Sequence, residues 1–297
     1  VLAVGLVAGV SAVLPDLDLL VGTLAYANSL GSPTAASWEH LWSVSNTVHR
    51  GVSHTLAGGG AGAVLVATTA AGWRALQGRR WPALSATVIG GVSSVAALVA
   101  LAIGAGGVEV VSVALVSLGA VVLGTVVAPQ TVLSARRVLA AALVGFLSHP
   151  FGDVFMAAPP DLFYPLDGAF LTETVVLATD PTLNLLGVTL VELGAVWAGV
   201  LAATRITDQR LREAVDPRVV VGLAYPALML FVPRPTMADA HWLGVTVVPF
   251  AGVGLLTRAP VAASTRGRVT RVVVTGLVTL TVAVGAYALA YLAGVVP

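Results

Sequence analysis

The chain has 297 residues, 57% of them hydrophobic and 10% charged, with a mean hydropathy of +0.95. Soluble chains carry roughly a quarter charged residues, so this one cannot cover a globule with polar surface, and its solvent is largely lipid. The net charge of +1 excludes a basic nucleic-acid surface, and the lack of cysteine excludes disulfides and thiolate chemistry, leaving histidine and carboxylate as metal-binding side chains.

The apolar runs are long and continuous, which points to helices rather than to a barrel of short alternating strands. The expected fold is all-α: a polytopic transmembrane bundle of about nine helices, broken at Pro15 and Pro150, forming one integral membrane domain over 1–297.

The first predicted helix covers about 1–26. It lacks a basic leading region, so it is read as retained rather than cleaved, although Ala25-Tyr26-Ala27 forms an A-x-A triplet. Within it stands Leu14-Pro15-Asp16-Leu17-Asp18. Pro15 removes a backbone donor and disturbs the preceding turn. Titratable groups inside a span are costly and usually mark function. Asp16 and Asp18 can approach a cation from neighbouring directions, and they repel each other if nothing positive lies between them. The alternative is an N-cap for a second helical piece, which needs one Asp rather than two.

The second helix, about 53–73, follows His49-Arg50-Gly51-Val52-Ser53-His54. A regular helix would put the two histidines on different faces. Gly51 permits a bend that leaves His49 in the loop and His54 on the first turn, with Ser53 as cap. Imidazole is the commonest neutral metal ligand; the alternative is a wet interfacial loop.

Helices three and four cover about 82–104 and 109–128, and helix five about 137–157. The fifth contains Ser148-His149-Pro150-Phe151-Gly152-Asp153. His149 and Asp153 share a helix face. Pro150 predicts a kink, or a new helical piece capped by Ser148 or His149; the alternative is a kinked helix with a His–Asp hydrogen bond. The remaining helices cover about 183–203, 219–232, 243–257 and 271–295, the seventh being short, and no internal repeat is present.

Arginine placement sets the expected orientation. With the N-terminus cytoplasmic, thirteen arginines fall in cytoplasmic loops and two, Arg50 and Arg234, in exterior ones. Segments 27–52, 158–182 and 233–242 then face outward. Depth argues that the three clusters meet: at about 1.5 Å per residue, Asp16 and Asp153 lie roughly 24 Å, and His54 roughly 30 Å, above the inner ends of their helices.

Three imidazoles and three carboxylates suit a divalent metal, zinc first and manganese or iron as alternatives. Six candidate ligands allow one ion or two. Such a metal lowers the pKa of its bound water towards neutrality. Arg50 is placed to hold a phosphate or carboxylate oxygen.

The strings "LPDLD", "HRGVSHTL" and "LSHPFGDVF" together resemble the YdjM-type membrane-bound metal-dependent hydrolases. That pattern is a PD-x-D near the first helix, an HRG-x-[ST]-H-[ST] box and a later SH-x3-D. Members are called inner-membrane hydrolases, distantly similar to zinc-dependent phospholipase C. The likeness covers about 1–170, the motif-bearing part, and leaves 171–297 as additional transmembrane helices. It implies that Asp16, Asp18, His49, His54, His149 and Asp153 bind metal, and that Arg50, with Asp16 and Asp153, serves catalysis.

The expected function is therefore metal-dependent hydrolysis of a phosphoester, of a lipid or a small molecule, or less readily of another ester, near the exterior face of the cell (inner) membrane. Membrane lipid and an ester substrate are the expected partners, with no nucleic acid. The rivals are a transporter using the His/Asp set as a cation or proton site, and a structural metal site without turnover. Asp161, Tyr164 and Asp167 belong to an exterior segment read as a solvated loop, with a lid or substrate rim as the alternative. Glu39-His40 and Asp239-x-His241 read as interfacial decoration beside Trp38, Trp42 and Trp242. Glu109 and Glu192 receive no role.

Overall fold

The computed structural model describes residues 2–29, 37, 40–41, 43–45, 49–155, 160–166, 171, 173–206, 210–257 and 265–296. Trp38, Glu39, Trp42 and Asp167 lie outside them. The described residues are helical, with no strand among them. The chain divides into two compact units, Val1–Thr174 and Val175–Pro297. Among the described residues, six helical segments are long and apolar enough to cross a membrane: Ala3–Ala27, Leu56–Gln77, Trp81–Ala105, Gly107–Gln130, Pro181–Ile206 and Gly267–Leu292. The nine segments read from the sequence all coincide with helical stretches, but three of them are shorter or more polar than that standard.

The first unit contains α1 (Leu2–Val13), α2 (Leu19–Ser29), α3 (Leu56–Gln77), α4 (Trp81–Ala105), α5 (Gly107–Gln130) and α6 (Ala135–Asp153). Pro15 cannot donate to the α1 ladder, and the chain tightens there into a 3₁₀ turn, Pro15–Asp18, before α2 resumes. This turn carries both Asp16 and Asp18. At the head of α3 the cap is Thr55, whose hydroxyl accepts from the Gly58 amide at 2.9 Å. Ser53, expected as cap, lies with His54 in the 3₁₀ turn Val52–His54, ahead of the helix rather than on it.

Pro150 does not break α6. The helix runs through it and ends three residues later at Asp153. Ser148 caps nothing; its hydroxyl donates back to the Gly145 carbonyl at 3.0 Å. A proline so near a C-terminus disturbs the ladder just before it stops, and no second helical piece follows among the described residues of that segment.

Hydrophobicity does not drive helices together in lipid, so packing rests on close contact between small residues. The core of this unit joins α1, α3, α5 and α6 through Val7, Ala63, Val66, Ala120, Ala142 and Phe146. Gly62 of α3 receives the Phe146 ring, where a Cβ would lie 2.9 Å from its Cζ, and Gly59 lies against Phe146 Cβ and Leu147, where a Cβ would lie 3.3 Å from each. Gly145 of α6 meets the backbone of α1, where a Cβ would fall on the Ala8 carbonyl oxygen and lie 2.7 Å from Ser11 Cβ. These approaches fix α3 and α1 against α6 one turn below His149.

The second unit packs α7 (Pro181–Ile206), α8 (Leu211–Ala214), α9 (Tyr225–Leu228) and α10 (Ala240–Ala251) with α11 (Thr265–Leu292). Leu185, Tyr225, Met229, Leu243, Val284 and Tyr287 form its core. The short helix expected over 219–232 is mostly 3₁₀, at Pro217–Ala224 and Met229–Phe231, with one α turn between. Asp180 accepts from Arg234 at 2.6 Å and Tyr291 at 2.9 Å, and from the Thr182 and Leu183 amides at the start of α7. The Leu183 amide, with those other donors, holds its carboxyl down to about 2.

The close approach at Gly145 makes a direct prediction. Gly145→Ala should destabilise the purified protein by about 1–3 kcal/mol, as overpacking does. Gly60→Ala, on the same bundle but with nothing within 4 Å of the new methyl, should be neutral or stabilising by up to about 1 kcal/mol. Thermal unfolding in detergent measures both, and equal shifts would contradict the packing described.

Candidate metal centre

The three sequence clusters meet in the first unit. The turn after α1 brings Asp16 and Asp18, the turn before α3 brings His49 to His54, and the last turn of α6 brings His149 and Asp153. Arg50 sits at φ 70°, a left-handed conformation that costs a non-glycine residue about 1–2 kcal/mol. Side-chain and backbone contacts hold it there. Its amide donates to Asp18 Oδ2 at 3.3 Å, and its Nε faces Asp153 Oδ1 at 3.8 Å.

Asp18 is wholly buried. Its Oδ1 lies 2.8 Å from His49 Nδ1, and its Oδ2 lies 3.3 Å from His54 Nδ1 and accepts from Ser53 Oγ at 3.2 Å. A carboxylate buried among these groups is satisfied when both Nδ1 atoms carry the proton. That tautomer leaves the Nε2 lone pair of each ring pointing away from Asp18. Asp18 therefore stands behind the imidazoles, on their Nδ1 side.

On the other side four atoms converge. His54 Nε2 and His149 Nε2 are 3.0 Å apart. Asp16 Oδ1 lies 3.3 Å from His149 Nε2 and 3.8 Å from His54 Nε2. Asp153 Oδ2 lies 3.5 Å from His54 Nε2 and 3.6 Å from His149 Nε2. His49 Nε2 is at the margin, 3.9 Å from Asp16 Oδ1. Ligands about 2.0–2.1 Å from a tetrahedral zinc stand about 3.3–3.4 Å from one another; the three distances among Asp16 Oδ1, His54 Nε2 and His149 Nε2 bracket that value, and Asp153 Oδ2 lies close to it from both nitrogens. Two Nε2 atoms this close cannot both carry hydrogen. Asp153 Oδ2 and Arg50 Nε are buried without a hydrogen-bond partner among the described residues. The cluster's three carboxylates, Asp16, Asp18 and Asp153, outnumber its one guanidinium, which faces Asp153 alone, and leave net negative charge that a cation would balance. On these grounds the residues fit a divalent metal. Asp16, Asp18, His49, His54 and His149 fall into two groups, Asp16-His54-His149 and Asp18-His49-His54, each close enough to hold an ion. His54 belongs to both. Its Nδ1 is engaged by Asp18 and Ser53, so the first group has the free lone pairs.

One contributor was not singled out from the sequence. Glu109, at the start of α5, accepts from the Val52 amide at 3.1 Å. Its carboxylate lies against Gly51, where any Cβ would fall on both of its oxygens. Gly51 is thus required for space, and Glu109 holds the turn that carries Arg50 and His54. Its position at the same end of its helix as the other three clusters was the available signal. Tyr164, read as part of a solvated loop, instead donates to the Leu101 carbonyl at 3.1 Å and ties that segment to α4. His40 rests beside Tyr26 and His241 beside Trp242, with ring centroids 5.6 and 5.2 Å apart, and neither histidine belongs to a group that could hold a metal among the described residues.

No curated protein and no solved structure gives a significant match to the chain. A profile of the YdjM inner membrane protein family does, over residues 1–233. The match extends past the motif-bearing part near 170, where the sequence resemblance ended, into the helices of the second unit. It covers most of the chain and includes every residue of the cluster, and the chain belongs to the YdjM inner membrane protein family.

Proposed function

We propose that this protein is a membrane-embedded metal-dependent hydrolase that attacks a phosphoester, of a lipid or an exported small molecule, at the outer face of the inner membrane. The observation that carries the reading is the convergence of Asp16 Oδ1, His54 Nε2 and His149 Nε2 at 3.0–3.8 Å separations, with Asp153 Oδ2 3.5 and 3.6 Å from the two nitrogens. Those four residues would hold one divalent cation, zinc by preference for this donor set. His49 stands where a second ion would need it. When bound, the cation supplies Lewis acidity and a water of lowered pKa.

The chain's own groups account for the rest. Asp18 is a positioning residue: it fixes the tautomer and tilt of His49 and His54 without facing substrate. Asp16 is the most exposed of the set, its side chain 36% accessible, so it meets incoming water first and is placed to take its proton. Arg50, with a buried Nε that lacks a hydrogen bond, is placed to bind an oxygen of the ester and to stabilise negative charge developing there. The apolar side chains Phe151 and Phe163 stay 42% and 37% exposed on the segments flanking Asp153 and Tyr164, which suits a substrate with a lipid portion.

The outward orientation rests on arginine placement, thirteen against two. Ala238→Cys, in the connection 233–242, should react in intact cells with an impermeant maleimide; labelling only after the membrane is opened would reverse the orientation.

The chemistry is tested on purified wild type, His54→Ala, Asp153→Asn and Asp18→Asn, by metal content and by hydrolysis of a phospholipid and phosphodiester panel. Wild type should retain metal and hydrolyse a panel member, and His54→Ala and Asp153→Asn should lose both. Asp18→Asn should weaken metal affinity by about 10–100-fold, the usual cost of losing a partner behind a ligating histidine. Wild type that holds metal and hydrolyses nothing would favour a structural or transport site. Variants that keep full metal content would show the donor set to be wrong.

A further inference from the structure

At the opposite end of α3 from His54, about 30 Å away along the helix, lies a second polar site of different character. A cavity of about 670 Å³ opens between the ends of α3, α4, α5 and the start of α6. Its polar walls come from Arg74, Gln77, Arg80, Thr131 and Ser134, and no acidic residue lines it. Arg74 is fixed in place: its Nε donates to the Ala128 carbonyl at 3.1 Å and its Nη1 to the Leu133 carbonyl at 2.6 Å. It thereby neutralises the carbonyl end of α5, which would otherwise repel an anion. Arg80 is exposed, and no hydrogen bond or ion pair to its guanidinium occurs among the described residues. Ser134 makes no side-chain cap to α6. Arg79, Arg136 and Arg137 are exposed around the same end.

Two tryptophans mark the depth. Trp73 and Trp81, 41% and 65% exposed, bracket the turn that carries Arg79 and Arg80. Exposed tryptophan collects at the headgroup level of a bilayer. An apolar groove of about 330 Å³ also runs along the α3–α4 hairpin, lined by Trp73, Leu76, Leu84, Val88 and Val92. A positive cavity at headgroup depth with an apolar groove on the same hairpin has the two parts that an anionic lipid requires.

We infer that this cavity binds the phosphate of an anionic phospholipid, with Arg80 as its free cation and the α3–α4 groove receiving an acyl chain. The site is separate from the metal centre and does not depend on the hydrolase reading.

The test uses the purified full chain in neutral detergent, titrated separately with dioleoylphosphatidylglycerol, dioleoylphosphatidylcholine and inorganic phosphate, with the thermal unfolding midpoint as readout. The phosphatidylglycerol should raise the midpoint and the phosphatidylcholine should not. Arg80→Gln should weaken the apparent affinity by about fivefold, the effect of one arginine near an anionic headgroup. Ala83→Trp, which fills the cavity and leaves every charge in place, should weaken it as well, and it stands alone if the arginine variant does not fold. Protection by inorganic phosphate equal to that by phosphatidylglycerol would overturn the lipid as occupant in favour of free phosphate. Equal responses to the two lipids, or wild-type responses from both variants, would overturn the site.

Discussion

The candidate metal centre depends on how closely three helices approach one another. Lipid surrounds each helix as comfortably as a neighbouring helix does, so contact has to come from fit. Gly145 lets α6 touch the backbone of α1, and Gly62, with Gly59 against Phe146 Cβ and Leu147, lets α3 accept the Phe146 ring. Both contacts lie one turn below His149. Wider spacing at either would draw Asp16 or His54 away from the 3.0–3.8 Å range over which the donor atoms meet. Residues with no chemistry of their own therefore set the geometry of those that have it.

The second constraint is electrostatic. Four carboxylates, Asp16, Asp18, Asp153 and Glu109, stand near one another at one end of the bundle. Asp18 and Glu109 are compensated from within: the first by both Nδ1 atoms, a serine hydroxyl and the Arg50 amide, the second by the Val52 amide. Asp16 and Asp153 are not. Their oxygens point towards two imidazole nitrogens whose lone pairs are directed at the same place. Burying such a set is costly unless a positive charge completes it. The difference between the two kinds of carboxylate separates a supporting layer from a binding one, and the same difference explains why Arg50 tolerates a left-handed backbone: its amide serves the first layer and its guanidinium faces the second.

Much of this was legible in the sequence, because lipid permits few alternatives. Charge poverty and run length fixed the helical class, and the cost of burying Asp16, His54, His149 and Asp153 singled them out before any coordinates. Equal depth along three helices was enough to bring them together. What could not be read was how neighbours within a motif divide the work. Asp16 and Asp18 look equivalent in PD-x-D, yet the tight 3₁₀ turn after Pro15 sends one outward and buries the other. Ser53 and Thr55 are both plausible caps, and the choice falls to Thr55 because Asp18 already holds Ser53. Pro150 reads as a break, but a proline in the last turn of a helix has little ladder left to disrupt. Glu109 was hidden because its partner is a backbone amide from a segment far away in sequence. Likewise the resemblance ended near 170 because the second unit carries helices without titratable motifs, although the family match continues to 233.

X-ray absorption at the zinc edge of the purified, zinc-loaded protein tests the central claim most directly. The account predicts a shell of nitrogen and oxygen only, at about 2.0–2.1 Å, with the multiple scattering of two imidazoles. A first shell without imidazole, or zinc that washes away from a folded protein, would contradict it.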